Sequence, residues 1–250
     1  MGEAARVFPI AKFNRQGVRP PDRAAETSAT FLAAYRALAE RLATLRSPCF
    51  WPAIPGKPPL PQAERIGVFR LMAAMPGVPG EEEMQALVEA MRHAPSGDVV
   101  EIGSGHGGTA ALLTWLARRY EIGNVLCVDG WEADEALQIF EINLAPLAEG
   151  RLNYLRAGAA EAASRYEANA LRTETFGETR YEGRIALLRI ATTEADSALA
   201  HWAPKVAGGG WIVFGGVAAN EAAEAFAERE AARISARFQA GTELFLQLKR

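Results

Sequence analysis

The chain is poor in cysteine, in charge of either sign to excess, and in long apolar runs. Cys49 and Cys127 are the two cysteines in 250 residues, too few and too far apart for a disulfide framework, so a reducing, cytoplasmic setting is expected. Cys127 lies inside an apolar stretch and reads as a small core residue. The formal net charge is −3, which gives no electrostatic case for nucleic acid or for an anionic membrane surface. No apolar run reaches the roughly 20 residues of a membrane span, and the first residues, MGEAARVFPIAKFNRQG, lack the apolar core of a secretory signal. Histidine is also scarce, at three residues, which narrows the choice of a base near neutral pH.

What is present is organised around residues 98–116, DVVEIGSGHGGTAALLTWL. Val99 to Ile102 read as a short buried strand, followed by a glycine-rich turn and a helix from Thr109. Gly103, Gly105, Gly107 and Gly108 allow a tight turn and close approach of a ligand to the backbone, at the amino end of a helix. Gly103, Gly105 and Gly108 satisfy G-x-G-x-x-G, a pattern that serves dinucleotides as well, so an NAD-dependent oxidoreductase is the competing reading. Glu101 precedes the turn, and a carboxylate there repels a pyrophosphate while tolerating a ligand with a free ammonium. Asp129 ends the next strand, VLCVD, where a carboxylate can accept both hydroxyls of a ribose.

From residue 98 onward, strand and helix alternate. Strands are expected at 99–102, 124–128, 151–156, 185–190 and 211–214, and helices at 109–120, 134–146, 159–169, 194–203 and 219–231. The polar stretch from Leu171 to Gly183 reads as a loop, and ISARF-QAGT-ELFLQL as a closing hairpin. Such alternation demands a doubly wound, mostly parallel α/β sheet with helices on both faces.

The earlier residues are of another kind. Residues 1–23 read as a partly ordered, charged tail. Phe31, Tyr35, Leu38, Leu42 and Leu45 form one stripe of an amphipathic helix over 24–46, suited to the core or to a homodimer contact. Residues 47–61 hold six prolines and form a stiff strap whose Phe50 and Trp51 are candidates for a substrate lid. Helices are expected over 62–75 and 80–94, the latter bordering the acceptor pocket. Residues 1–79 thus make a tail, helical cap and strap, and 80–250 the α/β domain.

EIGSGHGG followed by VLCVD resembles the S-adenosylmethionine loop of class I methyltransferases, and residues 185–217, from IALLRIATTE to WIVFGGV, resemble small-molecule O-methyltransferases of the macrocin O-methyltransferase and cephalosporin-hydroxylase-like group. The resemblance implies a Rossmann-like sheet with one antiparallel strand from the C-terminal hairpin, S-adenosyl-L-methionine as cofactor, and a small hydroxylated acceptor. It implies that Glu101, Gly103, Ser104, Gly105 and Gly107 hold the amino-acid end of the cofactor, that Asp129 takes the ribose, and that Gly130 and Trp131 lie at the adenine. Where that group usually carries an HIDGDH-type sequence, this chain reads RIATTE, with Ala191, Thr193 and Glu194 in place of two aspartates and a histidine. A pair of aspartates after the fifth strand is replaced by Gly215-Gly216, and an adenine-binding aspartate by Ala159. A hard divalent cation needs several oxygen ligands, so no metal is expected. His106 and Glu194 remain as candidate bases, and a methyltransferase-like subunit without activity remains as a second class of function.

Overall fold

A computed structural model describes residues 57–166, 170–216 and 220–250. The amphipathic stripe of 24–46 and the aromatic pair Phe50 and Trp51 lie outside the described residues, and with them the expected lid and dimer contact. The described chain begins with helices α1 (Gln62–Met72) and α2 (Glu81–His93), followed by β1 (Asp98–Ile102), α3 (Gly108–Arg119), β2 (Val125–Asp129), α4 (Asp134–Ala148), β3 (Leu152–Arg156) and α5 (Ala159–Tyr166). A hairpin, β4 (Ala170–Thr173) and β5 (Gly177–Arg180), precedes β6 (Ile185–Ile190), α6 (Ala195–Trp202), β7 (Val206–Phe214), α7 (Asn220–Arg229), β8 (Ile234–Ala240) and β9 (Glu243–Leu248).

Seven strands form one sheet in the order β3-β2-β1-β6-β7-β9-β8, in which β9 runs opposite to the other six. The parallel strands are buried on both faces, which is why they read as nearly continuous apolar runs. One face carries Val100, Ile102, Val128, Leu188, Ile190, Ile212 and Phe214 into a cluster completed by Tyr166, Trp202 and Phe226 of α5, α6 and α7. Burial of these side chains, at roughly 25 cal/mol per Å² of apolar surface, is the main stabilising contribution. The other face, covered by α2 and α3, receives alternate residues of the same strands, Glu101 and Arg189 among them.

Two elements differ from the sequence expectation. The stretch expected as a loop, Leu171 to Gly183, contains the β4–β5 hairpin. Its sequence is polar because it is clasped by polar groups: Asn153 of β3 donates through Nδ2 to the carbonyls of Leu171 (3.1 Å) and Gly177 (2.9 Å), and accepts from Thr173 Oγ1 (2.9 Å). Strand β7 begins at Val206 rather than Trp211, and its pairing with β6 shifts register across the three glycines. A bulge there keeps Gly208, Gly209 and Gly210 within the sheet, ahead of the expected strand start at Trp211.

Candidate active site

The carboxyl ends of β1, β2, β3 and β6 enclose a cavity of about 460 Å³, within the range of small-ligand sites. It lies where the strand order reverses between β1 and β6, the position at which doubly wound sheets open a crevice. Ile102, Gly103, Gly105 and Asp129 line one side, Gly130, Trp131 and Glu132 another, Ala157, Gly158 and Ala159 a third, and Ala191, Thr192, Thr193 and Glu194 a fourth.

The glycine loop is built by close approach. Gly103 has φ +87°, and a Cβ there would collide with the carbonyl of Ala191, so only glycine lets β1 turn against the end of β6. Asp129 fastens the loop from the side: Oδ2 accepts from the N–H of Gly105 at 2.8 Å and Oδ1 from the N–H of Trp131 at 3.0 Å. A carboxylate offers about four lone-pair positions, so two remain for a ligand.

Trp131 lines the cavity and also braces the loop that carries it. It is 3% exposed, packs on Phe140 and Tyr154, and its Nε1 donates to the carbonyl of Gly105 at 2.7 Å. Its φ of +36° is a strained setting for a bulky residue, of order 1–3 kcal/mol. The conformation is held by Asp129 and by Arg156, whose Nη2 donates to the Trp131 carbonyl at 2.7 Å. Trp131 therefore ties the loop after β2 to the loop after β1, and only part of it reaches the cavity wall.

The remaining sequence candidates are dispersed. Ser104 is buried and donates to the Glu101 carbonyl at 3.4 Å. Gly107 faces Phe140 and Leu144 rather than the cavity. His106 is exposed and absent from the cavity lining, and its carbonyl accepts from Asn143. Glu194 is exposed, precedes α6 as its N-cap and does line the cavity. Helix α2, expected beside the acceptor pocket, contributes none of the lining residues.

Glu101 is 1% exposed and its Oε1 accepts from Arg189 Nη1 at 2.8 Å. Arg189 also reaches Glu243 Oε1, through Nε at 3.1 Å and Nη2 at 2.5 Å. Burial pushes the Glu101 carboxyl up from its ordinary range, and Arg189 is the largest opposing influence. Nothing in the sequence pattern marks Arg189 or Glu243, which lie 54 residues apart. Their meeting also accounts for Gly215. A Cβ at that position would stand 2.5 Å from Arg189 Nη2 and 2.8 Å from Glu243 Oε1. The guanidinium and the Glu243 carboxylate occupy the space that a side chain at position 215 would enter, so any larger residue there would displace their tips.

No protein-family model matches the sequence, and comparison with curated proteins finds no match. Solved structures do match. The O-methyltransferase NovP superposes with a TM-score of 0.51 at 16% identity, over 68% of this chain and 81% of its own. A putative caffeoyl-CoA O-methyltransferase from Staphylococcus aureus gives 0.52 at 12% identity, over 76% and 93%. A SAM-dependent O-methyltransferase from Thermotoga maritima gives 0.50 at 11%, over 74% and 71%. The chain has the fold of class I methyltransferases. At these identities the likeness concerns architecture, and the chemistry has to come from the site.

Proposed function

We propose that this chain is a metal-independent methyltransferase that takes S-adenosyl-L-methionine as its methyl donor and acts on a small hydroxylated acceptor. The observation that carries the reading is Asp129, fixed by two backbone N–H groups beside the glycine loop, with acceptor capacity left for the two hydroxyls of a ribose. Glu101, directly before the cavity-lining Ile102 and Gly103, is the acid proposed to serve the amino-acid end of the cofactor. Ala157, Gly158 and Ala159 leave a small-residue wall suited to a flat base. When bound, the cofactor supplies an electrophilic methyl on a sulfonium.

The charges of the cavity favour this ligand over a dinucleotide. Asp129, Glu132 and Glu194 are acids, and no lysine, arginine or histidine is among the lining residues described. A pyrophosphate would meet repulsion there, whereas a sulfonium would not. The same comparison of side chains speaks against a metal. At the end of β6 and β7 stand Ala191, Gly215 and the fixed cation Arg189, where a divalent ion would need carboxylates. Of the two candidate bases, Glu194 lines the cavity and is the one proposed to take the acceptor's proton.

Calorimetric titration with S-adenosylmethionine, S-adenosylhomocysteine and NAD tests the reading. The first two are expected to bind, and Asp129→Ala is expected to weaken them by about 1–3 kcal/mol, the cost of leaving ligand hydroxyls unpartnered. Binding of NAD with neither sulfur compound bound would overturn it.

A further inference from the structure

The chain leaves the sheet after β2, and the side chain that controls its departure stands on β3. Asp129 is the last residue of β2 and pairs in register with Arg156, the last of β3. The carbonyl of Asp129 accepts from the N–H of Ala157 at 3.0 Å, so its backbone belongs to the sheet. Gly130 and Trp131 lie beyond it, and Arg156 takes their carbonyls instead: Nε donates to Gly130 at 3.3 Å and Nη2 to Trp131 at 2.7 Å. Nη1 reaches Asp134 Oδ1 at 2.6 Å, in the first turn of α4. That ion pair is exposed, at 40% and 76%, and pairs of this kind add little to folding. The two carbonyls are what set this arginine apart.

They matter because of the peptide groups to which they belong. A trans peptide is planar, with its C=O and the following N–H pointing in opposite directions. The Gly130 carbonyl and the Trp131 N–H form one such group. Arg156 holds its oxygen, and Asp129 Oδ1 accepts from its nitrogen at 3.0 Å. The Trp131 carbonyl belongs to the next group and is held by the same guanidinium. The peptide planes on either side of the Trp131 Cα are therefore both fixed, and with them the φ of +36° that a bulky residue avoids. Without Arg156, the first plane could turn toward an ordinary φ, and the N–H that orients Asp129 would turn with it.

We propose that Arg156 is a positioning residue for Asp129, an inference that rests on the S-adenosylmethionine reading above. Arg156 is not among the residues that line the cavity, and it acts through three that are: Asp129, Gly130 and Trp131. By holding the peptide between Gly130 and Trp131, it keeps Oδ1 of Asp129 on the Trp131 N–H, while the Gly105 N–H keeps Oδ2. The direction in which the carboxylate offers its remaining lone pairs to a ribose is then settled before the ligand arrives. A lysine in this place would bring a point charge and no fork, and could not hold both carbonyls and Asp134 together.

The test is a double-mutant cycle, read by titration calorimetry on the full chain with S-adenosylhomocysteine and adenosine, both of which carry the ribose. Arg156→Lys keeps the charge and loses the fork. It is expected to weaken both probes about fivefold, because the ligand must then meet the cost of ordering the loop. In an Asp129→Ala background the same change is expected to have no further effect, since residues that act as one unit do not add. Arg156→Gln is expected to behave alike, and takes the place of Arg156→Lys should that variant not fold. Unchanged affinity in the arginine variants would overturn the proposal. So would an equal further loss on top of Asp129→Ala, which would mean that Arg156 acts by another route. If Asp129→Ala alone weakens neither probe, or the unaltered protein binds neither, the ribose reading itself falls and takes this inference with it, so the two failures are told apart.

Discussion

Strand β1 carries a buried carboxylate at each end, and the two are satisfied in opposite ways. At the amino end, Asp98 Oδ2 accepts from the hydroxyl of Tyr166 at 2.7 Å and from the N–H groups of Glu182 and Gly183 at 2.7 and 3.1 Å. At the carboxyl end, Glu101 meets a cation that it shares with Glu243. Each acid leaves its other oxygen, Asp98 Oδ1 and Glu101 Oε2, outside these contacts. Both are 1% exposed, and burial raises the pKa of both. Neutral dipoles from separate segments make Asp98 a latch that closes the chain on itself. A shared cation makes Glu101 one end of a buried ionic row that ties β1 to β6 and β9. Two equally buried acids on one strand are thus met by neutral dipoles at one end and by a charge at the other.

The contrast breaks most visibly by mutation. Asp98→Ala strands the Tyr166 hydroxyl and two N–H groups and is expected to cost about 3–5 kcal/mol in denaturant unfolding, with cofactor affinity of the folded fraction unchanged. Glu101→Gln is expected to do the reverse, because Arg189 keeps Glu243 as its counter-ion. Ligand affinity falls at a stability cost of about 1 kcal/mol or less. Were both variants to change stability and affinity together, the division between the two ends would fail.

A smaller effect sharpens the picture at the end of α2, just before β1. His93 is buried, and burial, with help from Arg92 and Lys57, lowers its pKa from 6.5 to about 4. The folded protein holds it neutral, so the unfolded chain takes up the proton first as pH falls. Stability contributed by neutral His93 is complete above pH 6.5 and is lost as pH drops toward 4. Each pH step below 6.5 favours the unfolded chain by about 1.4 kcal/mol, so the loss between pH 7 and pH 5 is about 2 kcal/mol. The slope of unfolding free energy against pH is expected to flatten in His93→Gln, and an unchanged slope would assign the titration elsewhere. The smallest expected effect is none at all. Added magnesium or a chelator should leave the melting temperature and any methyl transfer unaltered, and an activity lost to chelator and restored by magnesium would remove the metal-independent reading.

The glycine loop, Asp129 and the succession of strands and helices along the chain were legible because they are local. A strand, a turn and a helix are written in consecutive residues, and the strand ends fall where apolar runs stop. The β4–β5 hairpin was not legible, because residues such as Arg172, Thr173 and Glu174 are polar and the partner that orders them, Asn153, sits on another strand. Trp131 reads in sequence as a ring for the adenine, since its place beside Asp129 is visible there while its packing against Phe140 and Tyr154 is not.

The sequence by itself determined an alternating α/β chain with an acidic residue before a glycine turn and another after the next strand, because periodicity and turn chemistry act between near neighbours. Only the tertiary structure decided what those acids face. The meeting of Glu101, Arg189 and Glu243 depends on the register of four strands and on a missing Cβ at Gly215, and no spacing along the chain encodes either.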